Sequence, residues 1–314
     1  MTIWLRCAMV GALAIGMAGY GASAAVAQDI DDDFEDDFGD EDFDDFEDDD
    51  FDDFEEDDLD DFDDFEDDVE ADVDEPAEPV EPEVAPLTLG EGEIRVDGFV
   101  EVNLSSNFVA EPLSLAPDIY YGVNDDLTVG LVHSGVGTTG MFLLSGSGLC
   151  ITGEDSGCPD VYNNVGVNAL FGFMDDDLEL AAEGGLFINS LSDPFMMTLK
   201  AGLVGRWTSD DLQVAFSPNV HIALNERDIN QDLIFLPVAA YYSVTPELAL
   251  GGQTGLWGQI DELGDTWAVP LSLIADYQIN EELSAGAAFT FPFLLGEFND
   301  TDIRTLNLFV SYRM

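Results

Sequence analysis

The chain has 314 residues, and its formal net charge of −61 at pH 7 favours disorder, whereas 46% hydrophobic residues and 30 glycines favour packing or contact with lipid. Residues 29–75 hold 33 acidic and no basic residues, while residues 94–314 hold 30 acidic and six basic residues. A uniform globular domain is therefore excluded, and two different segments are expected.

Residues 1–27 have the features of a secretory signal peptide. Arg6 precedes an apolar run, which ends in two small-residue cleavage sites at residues 22–24 and 25–27. An uncleaved inner-membrane anchor is the alternative, and the Gly- and Ala-rich, Leu-poor run disfavours it. Cys7 leaves with the signal peptide, and the mature protein is expected to be exported.

Residues 28–75 form an Asp/Glu/Phe low-complexity tail. Carboxylates at this density repel one another, so the tail is predicted to be disordered. A rigid calcium loop is disfavoured because Gly39 is out of register for an EF-hand-type loop. Loose binding of divalent cations or of a basic periplasmic partner stays open. Residues 76–92 are a Pro/Glu-rich linker, expected to be stiff.

A short acidic motif recurs after the linker. It reads NDDL, DDDL, SDDL, TPEL and NEEL, ending at Leu127, Leu178, Leu212, Leu248 and Leu283. The last four leucines are 34, 36 and 35 residues apart, which indicates a repeated module of about 35 residues. Such polar residues suit tight turns, so the motif is predicted to be structural.

Each module contains segments with a period of two. In LQVAFSPNVHIALN the apolar residues from Leu212 to Leu224 alternate with polar or small residues, and in LSAGAAFTFPFLL the outer face runs from Leu283 to Phe293. These two segments have 14 and 13 residues, which suits membrane-spanning strands of about 9–11 residues better than soluble strands of about 5–6.

Twelve such segments can be counted. They are residues 93–104, 112–123, 127–134, 162–173, 178–189, 195–207, 212–225, 233–244, 248–259, 267–279, 283–295 and 303–314. Short acidic turns alternate with longer loops at 105–111, 135–161, 190–194, 226–232, 260–266 and 296–302. This resembles the bacterial outer-membrane β-barrels, in which short periplasmic turns alternate with longer external loops.

The resemblance covers residues 93–314 and implies an all-β fold, a single transmembrane antiparallel meander barrel of about 12 strands. It also implies an outer-membrane location, contact with lipid, and a tail in the periplasm. Aromatic residues near the turn end of the strands are predicted to form an interfacial girdle. They are Tyr121, Phe171, Phe173, Trp207, Tyr242, Tyr277 and Tyr312.

Strand parity predicts which polar side chains face the lumen. The pore-lining candidates are Arg95, Asp97, Glu101, Asp118, Glu179, Glu183, Lys200, Arg206, His221, Asp276 and Arg313. Glu183 is expected near Lys200, Glu179 near Arg206, and Arg313 beside the first strand. Such opposite charges either stabilise the barrel or form a charged constriction that selects solutes.

A lipid-modifying enzyme is a rival class, since phospholipase-type barrels use a Ser and a His near the outer rim. His133 is predicted to face outward and Ser134 inward, while His221 lies four residues from Ser217 along a strand, roughly 13 Å away. Neither pair forms a dyad, so no enzyme activity is expected. There is no nucleic-acid or nucleotide motif, and no metal site or cofactor is predicted.

Cys150 and Cys158 remain in the exported protein, eight residues apart in the longest loop. Because exported chains meet an oxidising compartment, a disulfide between them is predicted.

The function predicted from the sequence is that of a narrow, cation-selective passive channel or transporter for small solutes or ions. The alternative is a membrane anchor that displays the acidic tail in the periplasm. An autotransporter-like tail threaded through the lumen is disfavoured, because LTLGEGEIRVDG, before the first strand, is not a helix sequence.

Overall fold

The structure is a computed structural model that describes residues 86–106, 108–153, 158, 160–175 and 177–314. The predicted signal peptide, the acidic tail and the first part of the linker lie outside the described residues. In the described ranges, no helix is both long enough and apolar enough to cross a membrane.

The described part of the chain is almost entirely β-structure. Its strands are β1 (Ile94–Asn103), β2 (Leu113–Asn124), β3 (Leu127–Val132), β4 (Leu149–Thr152), β5 (Val165–Asp175), β6 (Leu178–Ser190), β7 (Met196–Ser209), β8 (Leu212–Phe216), β9 (Asn219–Ala223), β10 (Leu233–Ser243), β11 (Leu248–Gln259), β12 (Ala268–Gln278), β13 (Leu283–Gly296) and β14 (Thr305–Arg313). Two short helices, α1 (Gly135–Thr139) and α2 (Leu263–Thr266), lie in connections.

The strands close into an antiparallel barrel. Arg95 of β1 pairs with Tyr120 of β2 on one side and with Arg313 of β14 on the other, so the first strand joins the last. Strands β8 and β9 follow one another in a single position between β7 and β10. Strands β3 and β4 likewise share one position, because they pair with different parts of β2. The wall therefore has twelve strand positions, which confirms the predicted fold class.

Period-two alternation gives the wall two different faces. On β10, Leu236 and Val238 are about two-fifths exposed, whereas Phe235 and Ala239 point into the barrel and are buried. An apolar exterior is what a barrel surrounded by lipid requires. The barrel has a turn end, where the acidic motifs lie, and a loop end at the opposite rim.

Polar residues of the acidic motifs have definite roles in the turns. The Asn280 side chain accepts hydrogen bonds from the backbone N–H groups of Glu282 and Leu283, both at 2.9 Å. Thr245 accepts from the N–H of Leu248 at 3.1 Å in the same way. Asp210 has φ = 45°, a left-handed conformation that Asp tolerates better than most residues. The motif recurs because its residues close tight hairpins.

The predicted strand 212–225 is interrupted at Ser217 and Pro218. Pro218 has no N–H to donate, and Pro237 lies opposite the break on β10. The N–H of Ser217 reaches the carbonyl of Pro237 at 3.4 Å, a long hydrogen bond. The ladder therefore breaks for two residues and resumes at Asn219.

The longest connection differs from the prediction, which placed residues 135–161 outside the barrel. The chain leaves the wall after Val132, crosses the lumen, and returns to the wall as β4, which pairs with β2 beyond the end of β3. We call residues 133–148 the inward loop. Ser134 caps helix α1 by accepting a hydrogen bond from Gly137, and Gly140 ends the helix at φ = 82°.

Cys150 in β4 and Cys158 form the predicted disulfide, with Cα atoms 6.3 Å apart. The bridge lies at the loop end, where the chain has just returned to the wall. It joins residues eight positions apart in the chain and lies outside the β1–β14 ladder that closes the barrel.

We expect the exported protein to carry this disulfide, as mass spectrometry of the non-reduced protein would show. Reduction should lower the temperature at which the barrel unfolds by only a few degrees, because the closed ladder of strand hydrogen bonds is left intact. Two free thiols in the exported protein would contradict the first expectation, and loss of the barrel on reduction the second.

Candidate functional site: the barrel lumen

Glu101 of β1 holds both ends of the inward loop. Its carboxylate accepts hydrogen bonds from the N–H of Gly135 at 3.2 Å and of Ser147 at 2.8 Å, and from the Ser114 hydroxyl at 3.0 Å. The side chain is buried, with 1% of Glu101 exposed. A buried carboxylate surrounded by donors is a strong acceptor, so Glu101 fixes the loop to the wall.

Asp118 of β2 holds the beginning of the same loop. It accepts hydrogen bonds from the N–H of His133 at 2.7 Å, and from the N–H of Ser134 at 2.9 Å and its hydroxyl at 2.5 Å. The sequence placed Glu101 and Asp118 as pore-lining charges. In the structure both carboxylates face the lumen and are occupied by the loop.

The far side of the lumen also holds the loop. Lys200 and Asn219 donate to loop carbonyls, His221 lies within hydrogen-bonding distance of another, and Gln253 both accepts from and donates to the loop backbone. These contacts are Lys200 to Gly137 O at 3.3 Å, Asn219 to Thr139 O at 2.8 Å, His221 to Thr138 O at 3.2 Å, Gln253 to Phe142 N at 2.8 Å and Gln253 to Gly140 O at 2.9 Å. The loop thus spans the barrel from β1 and β2 to β9 and β11.

Lys200 also forms a buried ion pair with Glu183, at 2.7 Å and with side-chain exposures of 2% and 5%. Asn168 donates a further hydrogen bond to Glu183 at 3.2 Å. In register, Glu183 pairs with Gly202 and Lys200 with Gly185, so the contact is diagonal. A fully paired charge of this kind supports the loop and adds no net charge to the lumen.

The remaining charged candidates lie at the turn end. Arg95 binds Asp97 at 3.0 Å and covers the Tyr120 ring at 4.4 Å, and Asp97 also accepts from Ser311 at 2.6 Å. Arg313 lies directly opposite Arg95 in register.

Glu179 and Arg206 face each other across β6 and β7 and form an ion pair. Asp276 on β12 is half-buried, and its Oδ1 has no hydrogen-bond partner among the described residues.

The chain just before β1 fills part of the turn end. Leu89 is 1% exposed and contacts Tyr120, Val132 and Phe187 inside the lumen. Its N–H donates to Thr128 at 2.8 Å. We call residues 86–92 the strap. They belong to the predicted linker, yet here they line one side of the barrel interior.

Two apolar clusters fill other parts of the lumen. Met141 of the inward loop, which is fully buried, packs with Phe235 and Trp257 towards the loop end. Phe142 packs with Ile274 and Ala288, and with residues of β1 and β14. Neither Met141 nor Phe142 was predicted to face the lumen, because both lie in a connection that was expected outside the barrel.

Phe293 was expected on the outer face but packs with the Met141 cluster, its ring centroid 5.8 Å from that of Trp257. A register shift between β12 and β13, at Val269 and Leu271, changes the alternation there.

One sector of the lumen keeps open space. A cavity of about 100 Å³ lies between Gly140 of the inward loop and the wall formed by β7, β8, β10 and β11. Its lining includes Val204, Ala215, Ser217, Ala239, Tyr241 and Gln253. Such a volume holds several water molecules.

The residues weighed for catalysis are not brought together. The His133 ring contacts the Pro117 carbonyl and the Tyr162 hydroxyl, at 2.9 Å for the latter, while the Ser134 hydroxyl donates to Asp118. Partial burial raises the pKa of the Tyr162 phenol above its ordinary value. In the described ranges, no group of three or more His, Cys, Asp or Glu residues is placed to hold a metal ion.

Six of the predicted girdle residues have large exposed surfaces near the turn end: Tyr121, Phe171, Trp207, Tyr242, Tyr277 and Tyr312. Phe173 is half-buried and lies at a register shift between Gly172 and Met174 of β5. The shift turns Met174 outward in its place.

No protein-family model matches the sequence, and no curated protein matches it either. Among solved structures, the chain is similar to a KdgM porin, with 9% identity, a TM-score of 0.45, and coverage of 69% of this chain and 98% of that one. It is similar to Omp33 of Acinetobacter baumannii at 12% identity and a TM-score of 0.40, covering 71% and 99%.

It is also similar to an outer-membrane channel of Pseudomonas putida F1, at 11% identity and a TM-score of 0.44, covering 74% of this chain and 100% of that one. Similarities at this level assign no specific family. The closed twelve-position antiparallel wall, with its apolar exterior, gives the chain the porin-like fold of bacterial outer-membrane β-barrels.

Proposed function

We propose that the protein is a narrow passive channel for small solutes across the outer membrane. The observation that carries the proposal is the inward loop, which crosses a polar lumen and leaves a cavity on one side. A loop folded into a barrel narrows the passage to a size that discriminates between solutes. A lumen filled only for stability needs no such cavity.

The proposed orientation places the turn end in the periplasm and the loop end outside, as in other barrels of this kind. The acidic tail, which precedes β1, is then periplasmic. The aromatic residues near the turn end would lie at the inner headgroup level and fix the depth of the barrel.

We further propose that the channel prefers cations, because acidic residues dominate both rims. At the loop end the acids are Glu111, Asp160, Asp193, Glu226, Asp228, Asp232, Asp261, Glu262, Asp265, Glu297, Asp300 and Asp302, beside Arg227 and Arg304. At the turn end they are Glu91, Glu93, Asp125, Asp126, Asp175, Asp177, Asp210, Asp211, Glu247, Glu281 and Glu282, beside Arg95, Arg206 and Arg313. Such rims concentrate cations within a Debye length, ~8 Å at physiological salt.

Inside the lumen, most charges are already compensated. Glu183 is paired with Lys200, and Glu179 with Arg206, so neither acid adds a net charge where ions pass. Asp276 on the inner face has no basic partner among the described residues, and its buried Oδ1 makes no hydrogen bond there. The cation preference should therefore depend on the rims and on Asp276.

The second candidate is a membrane anchor that presents the acidic tail in the periplasm, where it would bind divalent cations or a basic partner. The filling of the lumen favours this candidate, since the strap occupies the turn end and Met141 closes the loop end. A barrel that conducts neither ions nor solutes would support the anchor.

The inward loop can be loosened at Glu101. In Glu101→Gln, either orientation of the amide places its NH₂ group against an N–H of Gly135 or Ser147. Losing one hydrogen bond to a charged group costs about 1.5–3 kcal/mol, which raises the population of the released loop roughly 10- to 100-fold. We expect larger and noisier single-channel conductance in planar bilayers.

Asp118→Asn is the matched control. Its remaining oxygen can still accept from His133 and Ser134, and the new amide can donate to the Ser134 hydroxyl, so the loop should stay docked and conductance should stay near wild type. Equal conductance for wild type and Glu101→Gln, with both barrels folded, would show that the inward loop is not the constriction.

The cation preference can be measured as a reversal potential across a salt gradient. We expect the full chain and a variant lacking residues 29–75 to give the same sign, because the rims and Asp276 are present in both. Asp276→Asn should reduce the preference, whereas Glu183→Gln would disrupt the pair with Lys200 and should mainly destabilise the loop. Anion preference in the tail-deleted protein would contradict this explanation.

A further inference from the structure

We propose that the transport path runs through one sector of the lumen, between the inward loop and strands β7, β8, β10 and β11, and that it selects small uncharged solutes bearing hydroxyl groups. The inference rests on the proposed channel function and identifies its path and solute class. The acidic rims set the preference between cations and anions, while this inner sector selects among uncharged solutes.

Two other sectors of the lumen are filled by packed side chains. On the side of β2, β3 and β6, Leu89 of the strap fills the space between Tyr120 and Phe187. On the side of β12 to β14 and β1, Phe142 packs against Ile274 and Phe309, with ring centroids 5.9 Å apart for the two phenylalanines. The open sector is left between these two packed regions.

Small residues create the space in the open sector. Ala215 and Ala239 project into the cavity from neighbouring strands, and the loop residue that lies closest to this wall is a glycine, Gly140. A Cβ atom on Gly140 would lie 2.2 Å from the Ser217 hydroxyl, so the loop backbone approaches this wall as closely as glycine allows. Where the loop passes the wall, the cavity is thus bounded by loop backbone and by the short side chains of Ala215, Ser217 and Ala239.

The cavity offers hydroxyl groups and no charge. Ser217 and Tyr241 line it, and across the described ranges neither hydroxyl makes a hydrogen bond to another residue. Among the described residues that line it, none is charged. Uncompensated hydroxyls beside an apolar wall suit a solute that both donates and accepts hydrogen bonds and carries no charge.

Met141 closes the cavity towards the loop end. It lies with Phe235, the next inward residue beyond Pro237 on β10, and with Trp257, the second inward residue beyond Gln253 on β11. A methionine side chain is flexible and adapts to irregular space, so it can yield to a solute more readily than the aromatic rings can. Passage therefore requires movement of Met141 and leaves the backbone of the loop anchored.

The path can be tested with a pair of cysteines on β10 that differ only in the face they occupy. Ala239→Cys points into the cavity, and Ala240→Cys points to the lipid. Full-length protein in liposomes is treated with hydroxyethyl methanethiosulfonate, a neutral reagent. We expect labelling of Cys at 239, seen by mass spectrometry, with a several-fold loss of glycerol flux, and no change in flux for the 240 variant.

The solute class can be tested with two tyrosines on the same strand. Tyr241→Phe removes a hydroxyl from the cavity, whereas Tyr242→Phe removes one from the outer face. We expect Tyr241→Phe to slow glycerol flux several-fold and to leave potassium conductance nearly unchanged, with no effect of Tyr242→Phe. Wild-type protein should pass glycerol several-fold faster than glycerate, the anion of similar size.

The outcomes separate this inference from the channel function. If the wild type conducts but labelling at position 239 leaves flux unchanged, or position 239 is not labelled, the path lies elsewhere and the inference is wrong. Faster flux of glycerate than of glycerol would overturn the solute class. If the wild type passes neither ions nor glycerol, the proposed channel function itself fails, whatever the labelling.

Discussion

The closed hydrogen-bond ladder between β1 and β14 is the constraint on which the rest of this structure depends. In lipid, an unpaired backbone N–H or C=O costs several kcal/mol, so a sheet that spans a bilayer must have no free edge. Once the sheet is closed, successive residues of each strand necessarily face the lipid and the lumen in alternation. The apolar residues take the outside, and the polar ones must then be accommodated within a narrow interior.

The inward loop forms hydrogen bonds with many of these inward polar groups. Its backbone needs hydrogen-bond partners wherever it leaves the wall, and the wall needs partners for the charges it turns inward. Glu101 and Asp118 supply acceptors to loop N–H groups, while Lys200 and Gln253 supply donors to loop carbonyls. Loop and wall thus satisfy each other, and most inward charges are used in holding the structure together.

Few of the inward charges in the lumen are therefore available to a passing ion. A count of inward acids and bases treats each as available to a passing ion, but a carboxylate that accepts three hydrogen bonds, or pairs with a lysine at 2.7 Å, is already compensated. In the proposed channel, solutes pass through an uncharged sector beside Tyr241 and Ser217, which is reached through acidic rims. On that proposal, the rims act on the charge of a solute and the inner sector acts on its hydrogen bonding.

The sequence by itself determined most of the strands, their faces and their turns, because these depend on local pattern. A period of two assigns each residue of β10 to one side of the sheet, the Asn or Thr that opens three of the acidic motifs closes its own turn, and Cys150 and Cys158 are close along the chain. Even the Glu179–Arg206 contact follows from counting across one hairpin. The faces of Phe173 and Phe293 depended instead on register shifts between strands.

Only the tertiary structure decided what fills the barrel. Parity says that Gln253 points inward, but it carries no information about distances across the lumen, where Gln253 meets a loop more than 100 residues earlier in the chain. Nor does polarity distinguish an external loop from one whose polar backbone is satisfied inside, so Met141 could not be placed. The cavity beside Ala239 exists because several distant segments leave it unfilled, and no local pattern records such a space.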